Sequence, residues 1–359
     1  MNLFIIYRSQ ALQGLLVFGL GSAVVGFFYL SNLKIKFKKA LLGAYVSLTG
    51  VSGIFIVLGT LKIGPLASYL YKVSVRQRGF YWNAAWKMMT SNPLTGTGLD
   101  SYGDWYFNYR SKVAATLTPT VQSNAAHNVF LDMGAAGGYP LFLLNVALAI
   151  FAVFAGIKYI RRLQEFNWAA SSLLGGFIAF EAQALISINQ IGLAVWGWLF
   201  MGALVGLNKK SSSNQETSVE DPIHNAPLKV KRNSRNTKNN SFPYGLLIGG
   251  IVGFLVVITP FLNDHNFRVA SESRQANAII SATLKSPEDL GRTMQTASLL
   301  AQSNLNVQSI SLLKHIVSVN PRSFNAWQLL YQISPAGSAD HVLAVQKINS
   351  LNPQVPAIK

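Results

Sequence analysis

The chain has 359 residues, of which 50% are hydrophobic and only 12% are charged. Soluble domains carry about 25% charged residues, so this composition excludes an ordinary soluble protein. Cysteine is absent, which excludes disulfides, thiolate metal sites and cysteine nucleophiles. The formal net charge of +17 would favour a nucleic-acid partner in a soluble protein. Membrane topology explains it better here, and we predict an all-α integral membrane protein that does not bind nucleic acid.

Six apolar stretches are long enough to cross a hydrocarbon core about 30 Å thick. The third stretch is over-long, and the glycines near its start (Gly134, Gly137 and Gly138) indicate a position at the membrane interface or a bend in the helix. The predicted spans cover approximately residues 11–30, 40–61, 128–157, 169–187, 190–207 and 244–262.

Lysine and arginine in the short connections predict the orientation, since they concentrate on the cytoplasmic side. Three basic connections fall on one side of the membrane, at residues 31–39, 158–167 and 208–242. That side is predicted to be the cytoplasm, which places the long loop 62–127 and the tail outside. The predicted protein is therefore a multi-pass protein of the cytoplasmic membrane with an extracytoplasmic face built on that loop.

Composition then divides the chain into domains. The connection after residue 207 is rich in serine, asparagine and lysine and lacks apolar periodicity, so we expect a disordered basic linker. The tail returns to amphipathic helical spacing, and Asn320-Pro321 and Asn352-Pro353 recur 32 residues apart, close to the roughly 34-residue tetratricopeptide period. A small helical cap is the alternative. The predicted parts are a membrane domain (1–207), the linker (208–242), a last membrane helix (243–262) and a helical tail (263–359).

The outer loop 62–127 is the unusual part of the membrane domain. It holds seven lysines and arginines against two aspartates. A cationic surface facing the outer headgroups suits an anionic ligand such as a lipid phosphate or diphosphate. A generally basic, solvated loop explains the same composition, so both interpretations stay open.

His127 is the single histidine of this loop and stands at the start of the third span. We expect Ser123 or Asn124 to cap the helix, so that His127 lies in its first turn. The helix dipole there disfavours the protonated imidazole, and a neutral histidine can act as a general base near pH 7. A structural hydrogen-bonding role is the alternative.

Two further charged residues have a functional and a structural interpretation. Arg8 precedes the first span at the outer interface, and it either anchors the helix by snorkelling or directs its guanidinium at phosphate oxygens. Glu181 lies inside the fourth span, where an ionisable group is costly, and it either lines a substrate site or satisfies a structural partner. Asp132 is a possible partner for His127, but a separation of five residues is poor for direct contact along a helix.

Other chemistries lack their signatures in the sequence. The glycines of segment 92–98 lie in the outer loop without the strand–helix context of a nucleotide site, and they indicate a tight turn. Asp100 and Asp104 alone do not provide enough ligands for a metal cage. We therefore expect metal-free, cofactor-free chemistry in which cations stabilise a phosphate leaving group.

Several segments, taken together and in order, resemble the O-antigen ligase/polymerase family. They are the opening helix around Arg8, the pair Arg78 and Trp82, the segment 92–98, and the run Ala126-His127-Asn128-Val129-Phe130-Leu131 entering a glycine-containing span. The resemblance covers about residues 3–163 and, more loosely, the next two spans. It implies an all-helical membrane glycosyltransferase fold of the GT-C type, with the six predicted spans resembling its C-terminal half.

The resemblance also implies a reaction. Such enzymes transfer a glycan from a polyprenyl-diphosphate carrier to a hydroxyl acceptor, a lipid or another glycan, on the outer face of the cytoplasmic membrane. The arginines and the histidine that family members use correspond here to Arg8, Arg78 and His127, which are the predicted catalytic residues. The predicted substrate-binding residues are Arg76, Trp82, Asn128, Arg110 and Glu181.

The sequence departs from the family pattern in two respects, the number of membrane spans and an acidic residue. Family members generally have ten or more spans, so we expect a truncated chain that is completed by a missing N-terminal half or a partner protein. Relatives often carry an acidic residue where this chain has Ala135-Ala136. The alternatives are a polymerase of the same family that adds glycan repeat units, and an inactive membrane scaffold whose helical tail recruits envelope proteins.

Overall fold

The structure is a computed structural model that describes residues 4–5, 8, 12–215 and 244–358. Within these ranges the chain is helical and contains no β-strand. The predicted all-α membrane fold is thus confirmed. The chain divides into two units, which are described separately.

The first unit contains the predicted membrane domain and its outer segment. Its helices are α1 (Leu12–Asn32), α2 (Lys38–Thr60), α3 (Ala67–Leu70), α4 (Val73–Ser91), α5 (Tyr102–Tyr109), α6 (Lys112–Leu117), α7 (Val129–Arg162), α8 (Trp168–Ala184) and α9 (Ile191–Gln215). Helix α9 runs eight residues into the predicted linker. The rest of that linker lies outside the described residues.

Helices α1 and α8 pack closely because small residues line their contact. A Cβ added to Gly21 of α1 would lie 2.9 Å from the carbonyl oxygen of Gly175 in α8. Small residues serve this purpose in membrane proteins, where helix association depends on close van der Waals packing. The buried residues around this contact come from four helices (Phe28, Ala152, Ile160, Ala170, Leu174, Phe177 and Leu204).

The outer segment between α2 and α7 is folded and holds four helices, α3 to α6. The longest of them, α4, packs against α7 and α5 through residues that the solvent does not reach. These buried residues are mainly aromatic, methionine and alanine side chains (Tyr81, Ala84, Ala85, Met88, Met89, Tyr102, Tyr106 and Phe107). The outer segment is thus a helical layer attached to α7, and it carries most of the predicted site.

Helix α7 is broken at Gly137 and Gly138, as the glycines at its start predicted. Gly138 has φ +67°, which an L side chain rarely adopts, and a Cβ there would collide with the Pro93 backbone. The break frees backbone groups that the segment 92–98 pairs with. Thr97 N donates to Ala135 O at 2.7 Å, Gly98 N donates to Ala136 O at 3.1 Å, and Tyr139 N donates to Pro93 O at 2.8 Å. The predicted turn therefore attaches the outer segment to the kink in α7.

The second unit begins with a long apolar helix, followed by shorter helices. They are α10 (Tyr244–Ser273), α11 (Ala276–Thr283), α12 (Leu290–Gln302), α13 (Asn306–Val319), α14 (Phe324–Ile333) and α15 (Ala339–Leu351). The hairpins α12–α13 and α14–α15 begin 34 residues apart. Their core is a continuous cluster of mostly aliphatic side chains around Trp327. This spacing agrees with the tetratricopeptide-like prediction, which stays a prediction.

Four of the helices at the six predicted spans are long and apolar enough to cross a membrane: α1, α2, α7 and α10. Helix α8 has 17 residues, and the apolar part of α9, Ile191–Leu207, is also short. Among the described residues, a helix covers most of each of the six stretches. Spans at α8 and α9 stay predictions, as does the orientation.

Candidate functional site

His127 lies between the outer segment and α7, and it differs in one respect from the prediction. Asn128 is the N-cap of α7, since its side-chain oxygen accepts a hydrogen bond from Leu131 N at 3.0 Å. The expectation that Ser123 or Asn124 caps this helix is wrong. His127 therefore precedes the first turn, with φ +55°. Its half-buried ring stacks on Tyr81 of α4, with centroids 5.4 Å apart and planes at 26°.

Two hydrogen bonds to the backbone hold this turn. The Asp132 carboxylate accepts from Ala126 N at 2.5 Å. The indole nitrogen of Trp82 donates to His127 O at 3.4 Å. Asp132 thus contacts the backbone of Ala126, the residue before His127, and not the imidazole. The sequence argument from helical spacing did not consider such a backbone contact. Trp82, predicted to bind substrate, contacts the backbone of the predicted base.

Burial lowers the pKa of the His127 imidazole, and the positive charge of Arg78 lowers it further. This direction agrees with the neutral state near pH 7 that the sequence predicts. Its cause differs from the expected one, because the ring lies outside the helix turn on which the dipole argument relied.

Arg78 lies on the same face of α4 as Tyr81 and Trp82, since residues three and four apart are neighbours on a helix. Its side chain is half-buried, and burial lowers the pKa of its guanidinium, which stays protonated as arginine does in proteins. One guanidinium nitrogen donates to Gln13 Oε1 at 3.1 Å. Gln13 belongs to α1, so the arginine connects the outer segment to the helix that follows Arg8. No signal in the sequence singled out Gln13.

A tyrosine cluster lies behind the Tyr81 ring. The Tyr102 hydroxyl donates to Tyr81 O at 2.8 Å, and the Tyr106 ring meets the Tyr81 ring edge-on at 5.6 Å. Burial, followed by the nearby Tyr81, raises the pKa of Tyr106 to about 12, despite the opposing effect of Arg110. The cluster therefore supports Tyr81 with neutral side chains near pH 7.

Arg110 has a different role from the predicted one. Its side chain is fully buried, and one guanidinium nitrogen donates to Pro119 O at 3.0 Å and to Thr118 O at 3.3 Å. The guanidinium also lies 4.6 Å from the centre of the Phe107 ring. These contacts place Arg110 in the packing of the outer segment, and this burial argues against its predicted contact with substrate.

Other predicted residues are not brought into contact with His127 in the part of the chain that the structure describes. Arg8 is helical and exposed. Arg76 is exposed on α4, two residues from Arg78 and therefore on another side of the helix. Glu181 is partly exposed on α8. The structure thus brings together Arg78, Trp82, His127 and Asn128.

A cavity of about 380 Å³ adjoins Asn128. Apart from Asn128 its lining is apolar and comes from both sides of the kink in α7 and from the end of α8 (Phe130, Leu131, Phe142, Val146, Ala149, Ile150 and Leu185). An apolar cavity therefore lies next to the residue that follows His127.

Comparison with known proteins gives one match. Residues 1–146 match the family described as O-antigen ligase, a range that contains Arg8, Arg78 and His127 but not Glu181. No curated protein and no solved structure matches the chain. The matched range also contains the segment 92–98 and the kink that it contacts. The match over residues 1–146, about two fifths of the chain, therefore supports the predicted membership of the O-antigen ligase/polymerase family.

Proposed function

We propose that this protein transfers a glycan from a polyprenyl-diphosphate carrier to a hydroxyl acceptor at the outer face of the cytoplasmic membrane. Its family has ligase- or polymerase-type function and implies a lipid-linked glycan and a membrane setting. The observation that carries the proposal is the placement of the His127 imidazole on Tyr81, beside Arg78 on the same face of α4.

His127 is the proposed general base. The acceptor hydroxyl attacks the anomeric carbon and its proton passes to the imidazole, which burial and Arg78 keep neutral near pH 7. The bond between the anomeric carbon and the carrier phosphate oxygen breaks. The electron pair leaves on the polyprenyl diphosphate, and attack from the opposite face inverts the anomeric centre.

Arg78 is the proposed ligand for the diphosphate. Negative charge grows on the leaving oxygen as the glycosidic bond breaks, and a preorganised guanidinium stabilises that charge in the transition state. The hydrogen bond to Gln13 orients the guanidinium and leaves its other N–H groups for phosphate oxygens. Arg8 is proposed as the second cation because it lies five residues before Gln13 in the sequence, ahead of α1.

The apolar cavity beside Asn128 supports a lipid-linked donor. A polyprenyl chain is apolar, while the diphosphate and the glycan are polar, so a site for the whole donor needs an apolar surface near its cations. The cavity lining supplies such a surface one residue from His127. We propose that the first isoprene units lie there, with Asn128 at the polar boundary.

The polymerase alternative shares this chemistry and differs only in the acceptor. The scaffold alternative needs no base. The polar contacts that hold His127 favour the enzyme, since a scaffold gives no reason for a half-buried imidazole beside a guanidinium. The experiment must therefore distinguish which acceptor receives the glycan.

The test uses the full chain in phospholipid vesicles with a polyprenyl-diphosphate-linked glycan as donor. Two acceptors are offered in parallel, a lipid-anchored oligosaccharide and a second molecule of the lipid-linked glycan, which separates ligase from polymerase activity. We expect His127→Ala to lower kcat by roughly 10²–10⁴-fold. Arg78→Ala should lower it by roughly 10²–10³-fold, because one charge-stabilising group is lost.

Matched controls remove a positive charge and an imidazole elsewhere in the chain. Lys112→Ala removes an exposed cation of the outer segment, and His265→Ala removes an exposed histidine of the second unit. Both should transfer glycan at the wild-type rate. Full activity in His127→Ala or Arg78→Ala overturns the assignment of that residue, and the absence of transfer to either acceptor by the wild-type chain favours the scaffold.

A further inference from the structure

The turn at His127 is unusual and requires support. A positive φ at a residue other than glycine is uncommon, although histidine adopts it more readily than most residues. The turn also lies just outside α7, so no helical hydrogen bond fixes it. Its conformation therefore depends on contacts made by other side chains.

Three side chains provide these contacts. The Asp132 carboxylate accepts from Ala126 N, the Trp82 indole donates to His127 O, and the Asn128 side chain caps α7 on the other side of the histidine. Asp132 is half-buried in the first turn after the cap, and it reaches back across the residue that it holds. A carboxylate that accepts from a backbone N–H forms a charge-assisted hydrogen bond, which is stronger than a neutral one.

We propose that Asp132 is a positioning residue for His127, which acts through the backbone of Ala126 and has no direct contact with the reacting atoms. By fixing the turn, it places the imidazole on Tyr81 and beside Arg78. A role of Asp132 in glycan transfer rests on the proposed function. Its effect on the position of the His127 imidazole does not depend on that function. Trp82 supports the same turn from α4.

A test must distinguish an effect of the Asp132 charge on His127 from an effect on the position of the imidazole, so the charged and titratable groups near the ring matter. Arg78 and Tyr81 face it from α4, and Asp132 lies beyond Ala126 on α7. Tyr102 of α5 bonds to the Tyr81 backbone. If Asp132 acted on His127 only through its negative charge, its removal would lower the pKa of the imidazole. If it acts by position, its removal frees the ring from burial and from Arg78, and the pKa rises. The two mechanisms predict opposite signs.

The experiment is a titration of the full chain in detergent micelles with ¹⁵N-labelled histidine, in which His127→Gln identifies the His127 signals. We expect Asp132→Ala to raise the pKa of His127 towards its ordinary value. Asp132→Asn keeps an oxygen that accepts from Ala126 N, so His127 should titrate in it as in the wild type. An unchanged or lowered pKa in Asp132→Ala overturns the proposal, and so does a rise in Asp132→Asn equal to that in Asp132→Ala.

A second variant covers the case in which Asp132→Ala does not fold. Trp82→Phe removes the indole N–H from His127 O and leaves α7 unchanged, and it should shift the His127 titration in the same direction. An unchanged titration in Trp82→Phe counts against the proposal.

Glycan transfer provides a separate measurement. Asp132→Ala should lower kcat by roughly 10²-fold with the KM for the donor unchanged, since misplacement of a reacting group by about 1 Å has effects of this size. A rise in KM with an unchanged kcat would overturn the positioning role. Transfer that survives His127→Ala overturns the proposed function, whereas the titration still decides whether Asp132 positions the histidine.

Discussion

The turn at His127 and the hairpins of the second unit each depend on a tryptophan whose indole nitrogen donates to a backbone carbonyl oxygen. In the second unit, Trp327 donates to Pro321 O at 2.9 Å, and its ring is 3% exposed within a continuous apolar core. In the first unit, Trp82 donates to His127 O at 3.4 Å, and its side chain is only half-buried. The same hydrogen bond therefore accompanies extensive apolar burial in one region and little of it in the other.

We infer from this difference that Trp327 mainly stabilises the folded hairpins, whereas Trp82 mainly positions the His127 turn. Burial of a large side chain contributes several kcal/mol to folding, whereas a single hydrogen bond contributes about 1 kcal/mol net. Substitutions in the hairpins should therefore change whether a region is folded. Substitutions at the turn should change where one imidazole lies.

The largest expected effect is on the hairpins. Trp327→Ala removes a buried ring from the core and should lower the stability of α12–α15 by about 3–5 kcal/mol. The measurement is backbone hydrogen exchange on the full chain, and exchange in α12–α15 should accelerate while exchange in α4 and α7 stays as in the wild type. Exposed Val307, substituted by alanine, is the control. Equal exchange in Trp327→Ala and the wild type would contradict the role of this core.

Arg110 extends this comparison to the first unit. It is an arginine of the outer segment, but its side chain is buried, like that of Trp327. Arg110→Met removes its hydrogen bonds to Thr118 O and Pro119 O while keeping an apolar stem. The stability of the segment around α5 and α6 should fall by about 1.5–3 kcal/mol. Hydrogen exchange in residues 102–119 measures this loss, with Lys112→Met as the exposed control. Weaker donor binding at unchanged exchange would instead support the substrate contact predicted from the sequence.

The sequence predicted the membrane helices well because a long apolar run has one stable form in a bilayer, where backbone polar groups must pair within the segment. The predicted start of α7 lies within one residue of the structure, in which the helix begins at Val129. Helices α3 to α6 were not predicted. They depend on tertiary packing, in which α4 contacts α7 and α5. The outer loop has no apolar periodicity that would predict this packing.

Three of the predicted site residues, Arg78, Trp82 and His127, lie close together in the structure. Asp132 was discounted because helical spacing was applied across a residue that precedes the helix. An acidic residue in the first turn can reach back to a backbone N–H near the cap, as in a capping box, and that pattern was a usable signal. Arg110 had no such signal, because burial of a loop cation depends on the fold around it.

The smallest expected effect concerns how much of the His127 environment comes from charge. Burial is the larger cause of its lowered pKa, and the Arg78 charge adds to it, because a nearby positive charge disfavours imidazolium. Arg78→Gln removes the charge and keeps a side chain that can still contact Gln13. The pKa of His127 should therefore rise but stay below its ordinary value, which the titration of ¹⁵N-labelled histidine measures, with Lys112→Gln as the control.

The same shift has a consequence for pH dependence. A general base works only when neutral, so transfer by the wild-type chain should be constant above the lowered pKa of His127 and fall as the pH drops through it. Where Arg78→Gln retains measurable transfer, its decline should begin at a higher pH than in the wild type. An equal rise of the pKa in Lys112→Gln would show that the general charge of the outer segment acts on His127. A fall in Arg78→Gln would show that the guanidinium is not beside the imidazole, and either result would remove the pairing on which the proposed mechanism depends.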